Sequence, residues 1–218
     1  LANTLAGFND SFLEGAPARG MAWAIADHPK YSPWGKGKPR NGPNDTYKSY
    51  QVNPDAAQKV KSAVRTLRIE GARLGLLGKI GIFGFSRGSD AGSMAIGDRT
   101  VPAFEQAGLN TGIPDDVQAA ALGPGVFDFT HIYNVAGDGD SNLETRCEWA
   151  WGPLKDNFER WKMQGSAYLV QSSATAPVLF FYNTDDSGYY QEQISNLKAK
   201  LDLLGVPTDT LVNYGSGH

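Results

Sequence analysis

The sequence predicts an α/β protein, a mostly parallel sheet with helices on both faces in three layers, and three observations carry that prediction. Apolar segments of strand composition alternate with segments whose apolar residues recur at helical spacing, the order that gives parallel strands joined by crossover helices. One junction, residues 79–93, runs a strand, a tight turn and a helix start together without a break. A length of 218 residues, 41% of them hydrophobic, with a formal net charge of -3, suits one compact domain over 1–218.

Each element follows from local composition. Residues 21–27 open with Met21-Ala-Trp-Ala-Ile-Ala26 and read as a first strand; a long loop follows. A helix is expected over 54–74, with Pro54 suited to its first turn and Ala57, Val60, Val64 and Leu67 repeating along one face. Ile80, Ile82 and Phe83 make a strand of 79–84, and Ala91, Met94, Ala95 and Ile96 belong to a helix starting at Arg87. A further apolar strand covers 117–122. Residues 176–182 form the clearest strand, and a helix over 191–204 places Ile194, Leu197, Leu201 and Leu204 on one face. Gly205 caps that helix and Pro207 prevents its continuation. The last strand is 208–214, followed by the flexible turn Gly215-Ser-Gly217.

The chemistry sits at the ends of these strands. Gly84-Phe85-Ser86-Arg87-Gly88 places a serine on a turn between a strand and a helix, where its hydroxyl is exposed and can meet a base. Glycines at both ends of the pentapeptide are expected to let the turn close and the helix approach the strand. Ser86 is the candidate nucleophile. A serine nucleophile needs a histidine, and the chain has three. His218 follows the last strand on a flexible loop that can swing onto the serine. His28 follows the first strand and is the reserve candidate, while His131 lies in an irregular stretch. The third member should be a carboxylate that fixes the imidazole tautomer. Asp185 and Asp186 both follow the 176–182 strand and both qualify.

The chain order Ser, Asp, His, together with three blocks, resembles the α/β-hydrolase superfamily, in its esterase and lipase branch with acetylxylan and feruloyl esterase-like proteins. The blocks are the 54–74 helix leading into Gly81-Ile-Phe-Gly-Phe-Ser-Arg-Gly88, then Val178-Leu-Phe-Phe-Tyr-Asn-Thr-Asp-Asp186, then Leu204-Gly-Val-Pro207 leading to Tyr214-Gly-Ser-Gly-His218. The resemblance extends from about Gly20 to the end. It implies a serine esterase acting on a small-molecule ester through an acyl-enzyme, with no metal or organic cofactor. Setting Gln193 on the family's Gln-rich helix start implies Asp186, rather than Asp185, as the triad acid. The residue after the nucleophile supplies one oxyanion N–H in this family, here that of Arg87. The family's insertion before the acidic strand forms a cap, which implies one at about 124–175, with Phe127, Phe129, Tyr133, Trp149, Trp151, Phe158, Trp161 and Tyr168. Those aromatics are expected chiefly to pack one another.

Two departures from the family pattern lead to a further expectation. No His-Gly-Gly run precedes residue 21 to supply a second oxyanion donor, and the chain reads as lacking the usual first strands and last helix. A truncated or non-catalytic protein of this fold is therefore one alternative, and a peptidase or lactone hydrolase on the same triad is another.

Other classes are less well supported. No basic stripe suggests nucleic acid; the concentration of Lys and Arg in 30–48 is interleaved with Gly, Pro and Tyr as in a solvated loop. No apolar run reaches membrane-spanning length. Residues 138–144 hold several acidic side chains but lack the glycine and distant glutamate of an EF-hand, so a polar turn is expected. Cys147 stands alone and mildly favours a reducing compartment without excluding a secreted origin; the localisation stays open.

Overall fold

The computed structural model describes residues 14–26, 55–96, 107–132, 144, 147–148, 151–215 and 217–218. Four strands, β1 (Gly81–Gly84), β2 (Ala119–Leu122), β3 (Val178–Asn183) and β4 (Thr208–Asn213), lie in the order β1-β2-β3-β4, and every pair is parallel. Parallel neighbours require a crossover between each pair, and α1 (Asp55–Arg73), α2 (Arg87–Ile96), the short unpredicted α3 (Phe158–Lys162) and α4 (Gly188–Leu203) alternate with them, α1, α2 and α4 as the periodicity predicts. The register sets Gly84 beside Leu122 and Leu122 beside Phe180, so the carboxyl ends of the strands gather along one margin of the sheet. In sheets of this kind that margin is where reacting groups collect.

The core follows from the two-residue period of a strand. Ile82, Ala120, Leu122, Val178 and Phe180 face one way and pack with Val64 of α1, Ile96 of α2 and Ile194, Leu197 and Leu201 of α4. Leu197 and Leu201 are fully buried, so truncating either to alanine is expected to cost about 2–5 kcal/mol. The alternate residues Phe83, Leu179 and Leu211 remain partly exposed on the other face. Residues of α1, α2 and α4 thus form the helical layer over that core face.

α4 ends as its sequence dictates. Gly205 has a positive φ of 73°, its N–H donates to Asp202 O and the N–H of Val206 donates to Leu201 O, closing the helix in a Schellman turn. At the other margin, Lys61 and Arg65 of α1 hold Asp115 before β2 at 3.3 and 2.5 Å. Burial pushes the Asp115 carboxyl up, but the two cations outweigh it and keep it below its ordinary range.

One expected strand does not form. Residues 21–26 pair with no strand, and Asp27 lies outside the described residues. Met21 N–H instead donates to Ala16 O, closing a turn through Gly20, while the Trp23 ring meets Phe83 edge-on at 6.1 Å. Alternating apolar side chains supply a packing face, but a strand also needs a neighbouring backbone to bond, and the described ladder of β1 runs to β2 alone.

Between β2 and β3 the chain makes short turns of helix at Phe129–His131, Leu154–Asp156, α3 and Ser166–Tyr168. Its aromatics pack one another: Phe129 on Trp151 and Trp151 on Trp161, both edge-on, with Trp161 Nε1 donating to Gly152 O. Tyr133, Trp149 and the acidic stretch 138–143 lie outside the described residues, as do His28 and the basic stretch 30–48.

Candidate active site

Ser86 stands where β1 gives way to α2, with a positive φ of 55°. That left-handed backbone is uncommon for a residue with a Cβ and costs of order 1 kcal/mol or more, so the surrounding turn must hold it. It does so with Gly88 N–H donating to Phe85 O and Ser89 N–H donating to Ser86 O. Gly84 is required, because a Cβ there would lie 2.5 Å from Gly88 O. Gly88 is not required in the same way: a Cβ would meet nothing within 4 Å. The expectation that both glycines serve close approach therefore holds for Gly84 only. Arg87, as the first residue of α2, carries one of the amide groups for which a helix has no internal acceptor.

The three residues read from widely separated blocks meet here. Ser86 Oγ lies 2.9 Å from His218 Nε2, and His218 Nδ1 lies 3.3 Å from Asp186 Oδ1. Asp186 is buried and Oδ1 also accepts the N–H of Ser187, whereas Asp185 is exposed and contacts Thr184. Of the adjacent pair, Asp186 is the one that reaches the imidazole. Asp186 Oδ2 is buried without a hydrogen-bond partner among the described groups. The hydroxyl and the carboxylate occupy opposite nitrogens of one ring, which leaves Nε2 free to accept a proton while the carboxylate holds Nδ1–H.

His131 is placed differently. Its Nδ1 meets Asp128 Oδ2 at 2.8 Å and Thr130 Oγ1 at 3.1 Å, so carboxylate and hydroxyl share one side of the ring. A cleft of about 540 Å³ opens beside it, lined by Thr130, His131, Glu148, Leu154 and Phe158 among others, and none of Ser86, Asp186 and His218 lines it. The contact geometry about a ring decides what chemistry is available, so the serine remains the candidate.

Sequence reasoning assigned no structural role to several residues on the elements around the site. Asn183, at the end of β3, donates from Nδ2 to Gly217 O at 2.9 Å. Tyr190 stacks on the His218 ring at 4.5 Å and Phe85 packs against the same ring at 4.9 Å. Gln193 of α4 accepts the N–H groups of Phe127 and Asp128 and donates to Asp128 O, clamping the exit from β2. No local pattern marks Asn183, whose partner is a backbone carbonyl far along the chain. The Tyr189-Tyr190 pair at the start of α4 was a visible signal.

Asp90, one turn into α2, is buried with Oδ1 unpartnered, and burial pushes its carboxyl well above the ordinary range. Among the described residues no cluster of His, Cys, Asp and Glu could hold a metal ion, and no helix is long and apolar enough to cross a membrane.

Comparison with known proteins gives a consistent picture of fold. No protein-family profile and no curated protein matches the chain. Solved structures do. A truncated form of a carbohydrate esterase from gut microbiota shares 22% identity at a TM-score of 0.63 over 76% of this chain and 62% of its own. An acetyl ester-xyloside bifunctional hydrolase from Caldicellulosiruptor lactoaceticus shares 22% at 0.55, over 76% and 57%. Esterase 2 of Thermogutta terrifontis, phosphonylated by sarin, shares 20% at 0.59, over 75% and 56%. The chain thus spans between 56% and 62% of the length of these three. A parallel sheet with its helices, aligned to these esterases over three quarters of the chain, has the α/β-hydrolase fold.

Proposed function

We propose that this chain is a serine hydrolase that cleaves carboxylic esters through an acyl-enzyme. One observation carries the reading: Ser86 Oγ lies 2.9 Å from an imidazole nitrogen whose partner nitrogen faces a buried carboxylate. Likeness in fold to several esterases supports the reaction class.

In this reading Ser86 Oγ attacks the ester carbonyl while His218 Nε2 takes its proton. The oxygen of the tetrahedral intermediate accepts the N–H of Arg87, the first amide of α2, where the helix dipole favours negative charge. Collapse breaks the bond to the alcohol, which leaves with the proton from His218 and leaves the acyl group on Ser86. Water then attacks, His218 accepts its proton, and the carboxylic acid departs as Ser86 regains its own. Asp186 holds the Nδ1 proton toward itself and stabilises the imidazolium. The distance of 3.3 Å is long for such a bond, as is common before substrate binds. The segment over 124–175, with its packed aromatics, is the proposed cap of a single domain.

The test is hydrolysis of p-nitrophenyl acetate with a burst of p-nitrophenol, and labelling by a fluorophosphonate. Both are expected in the wild type and lost in Ser86→Ala. Turnover that survives that substitution refutes the proposal.

A further inference from the structure

Two hydrogen bonds do not by themselves fix a histidine. Contacts at Nδ1 and Nε2 lie in the ring plane and leave the ring free to tilt about the line between them. His218 also stands beyond the end of β4, past Gly217, whose φ of 74° turns the chain back. An imidazole on such a loop samples many rotamers unless something else holds it, and a displacement near 1 Å can cost about 100-fold in rate.

The structure supplies that restraint from two directions. Tyr190 stacks on the ring with planes 22° apart, and Phe85 lies against it at 36°. Each is itself braced: Phe85 stacks on Phe181 of β3, and Tyr190 contacts Tyr189, which is buried among Phe129, Trp151 and Trp161. The backbone just before the ring is pinned separately, where Asn183 Nδ2 donates to Gly217 O. The segment 183–190 therefore supplies the amide that pins the loop, the carboxylate at Nδ1 and one of the ring contacts. Its geometry is fixed by the cap of α4, where Ser187 Oγ accepts the N–H of Tyr189 and Asp186 Oδ1 accepts the N–H of Ser187.

We propose that Tyr190, Phe85 and Asn183 are positioning residues for His218: the two rings fix the plane of the imidazole, and the amide fixes the backbone that carries it. This rests on the reading of Ser86 and His218 given above. The rings do a second thing once the proton has moved. An imidazolium against an aromatic face is favoured electrostatically, so the contact is strongest when His218 carries the proton taken from Ser86. An interaction that strengthens in the transition state appears in kcat, whereas one equal in both states appears in KM.

The experiment follows that distinction with p-nitrophenyl acetate. Tyr190→Leu and Phe85→Leu are each expected to lower kcat roughly 10-fold with KM within about twofold of wild type. Tyr190→Phe keeps the face and loses only the hydroxyl, so it should stay within about twofold in both constants. Asn183→Asp, which removes the donor at constant size, should lower kcat roughly 10-fold. Tyr190→Met refills the volume without a π face and gives the same reading should the leucine variant fail to fold. An active wild type whose Tyr190→Leu or Tyr190→Met variant keeps its kcat overturns this inference alone, as does a Tyr190→Phe variant as slow as Tyr190→Leu. A folded wild type that neither turns over ester nor labels at Ser86 overturns the esterase reading and the positioning role together.

Discussion

Among the described residues two imidazoles sit against a carboxylate with a hydroxyl nearby, and at only one of them do the hydroxyl and the carboxylate take opposite nitrogens of the ring. At His131 the partners are local. Asp128 lies three positions away, Thr130 is adjacent, and both meet Nδ1. Asp128 is the cap of its own turn: its Oδ1 accepts the N–H and Oγ–H of Thr130, and Thr130 Oγ1 also meets Tyr168 Oη. At His218 the partners come from 32 and 132 positions away and occupy opposite nitrogens. A contact between near neighbours satisfies the backbone of a turn; one assembled across the sheet has no such local reason to exist. Composition alone does not separate the two pairs, whereas the side of the ring each partner occupies does.

The comparison breaks most plainly at the hydroxyl. Ser86→Ala removes the hydroxyl that meets Nε2 of His218, and kcat for ester hydrolysis should fall by on the order of 10⁴ or more. Thr130→Ala removes a hydroxyl that shares one side of the His131 ring with its carboxylate, so kcat should remain within about threefold. If the two substitutions have similar effects, the distinction between the rings is void.

A finer break is at the carboxylates. Asp186→Asn keeps the shape but presents a neutral amide to Nδ1 and no longer favours the productive tautomer, with an expected loss of roughly 10⁴ in kcat. Asp128→Asn should leave kcat within about threefold. It puts an amide NH₂ where Oδ2 meets His131 Nδ1, while Oδ1 can still accept the N–H of Thr130, so urea denaturation should show a loss of about 1 kcal/mol in stability. Activity and stability are thereby exchanged between two chemically identical substitutions.

How much of this was readable before folding follows from the same contrast. The parallel arrangement, the four strands and the long helices follow from periodicity. Ser86 was legible because strand, turn and helix are contiguous there, and His218 because there were three histidines to choose among. Residues 21–26 were misread because their apolar alternation describes side chains, and strand formation depends on a backbone neighbour that no local pattern records. Gly88 was given a packing role that belongs to Gly84 alone, since close approach is a property of two segments. Asn183 was invisible for the same reason, and the visible Tyr189-Tyr190 pair gave no sign of its partner: both meet a loop brought back beside β3 from beyond the end of β4. Local rules identified three side chains that the fold brings together, and left unseen the ones packed around them.

A third buried carboxylate sharpens the comparison with the smallest effect. Asp90 shares with Asp186 its burial and its closeness in sequence to a residue of the site, but no imidazole is recorded beside it, and Oδ1 has no partner. Burial disfavours its charged form, so the folded state holds the proton to higher pH than the unfolded chain, whose aspartate titrates near 3.9. The folded state then binds more protons, and stability must fall as pH rises from about 4 toward the raised folded value, levelling beyond it. Asp90→Asn presents a similar shape without the titration. Its melting temperature is expected to lose that decline, gaining on wild type as pH rises, by roughly 2–4 °C for each kcal/mol relieved. Thermal unfolding of both proteins between pH 4 and 8 measures it. An unchanged difference across that range would mean that Asp90 titrates alike in the folded and unfolded chain. Because Asp90 meets Ser86 through its backbone N–H, which donates to Ser86 O at 3.4 Å, and not through the carboxyl that is replaced, the same substitution should shift kcat little, which separates a carboxylate that merely endures burial from one that uses it.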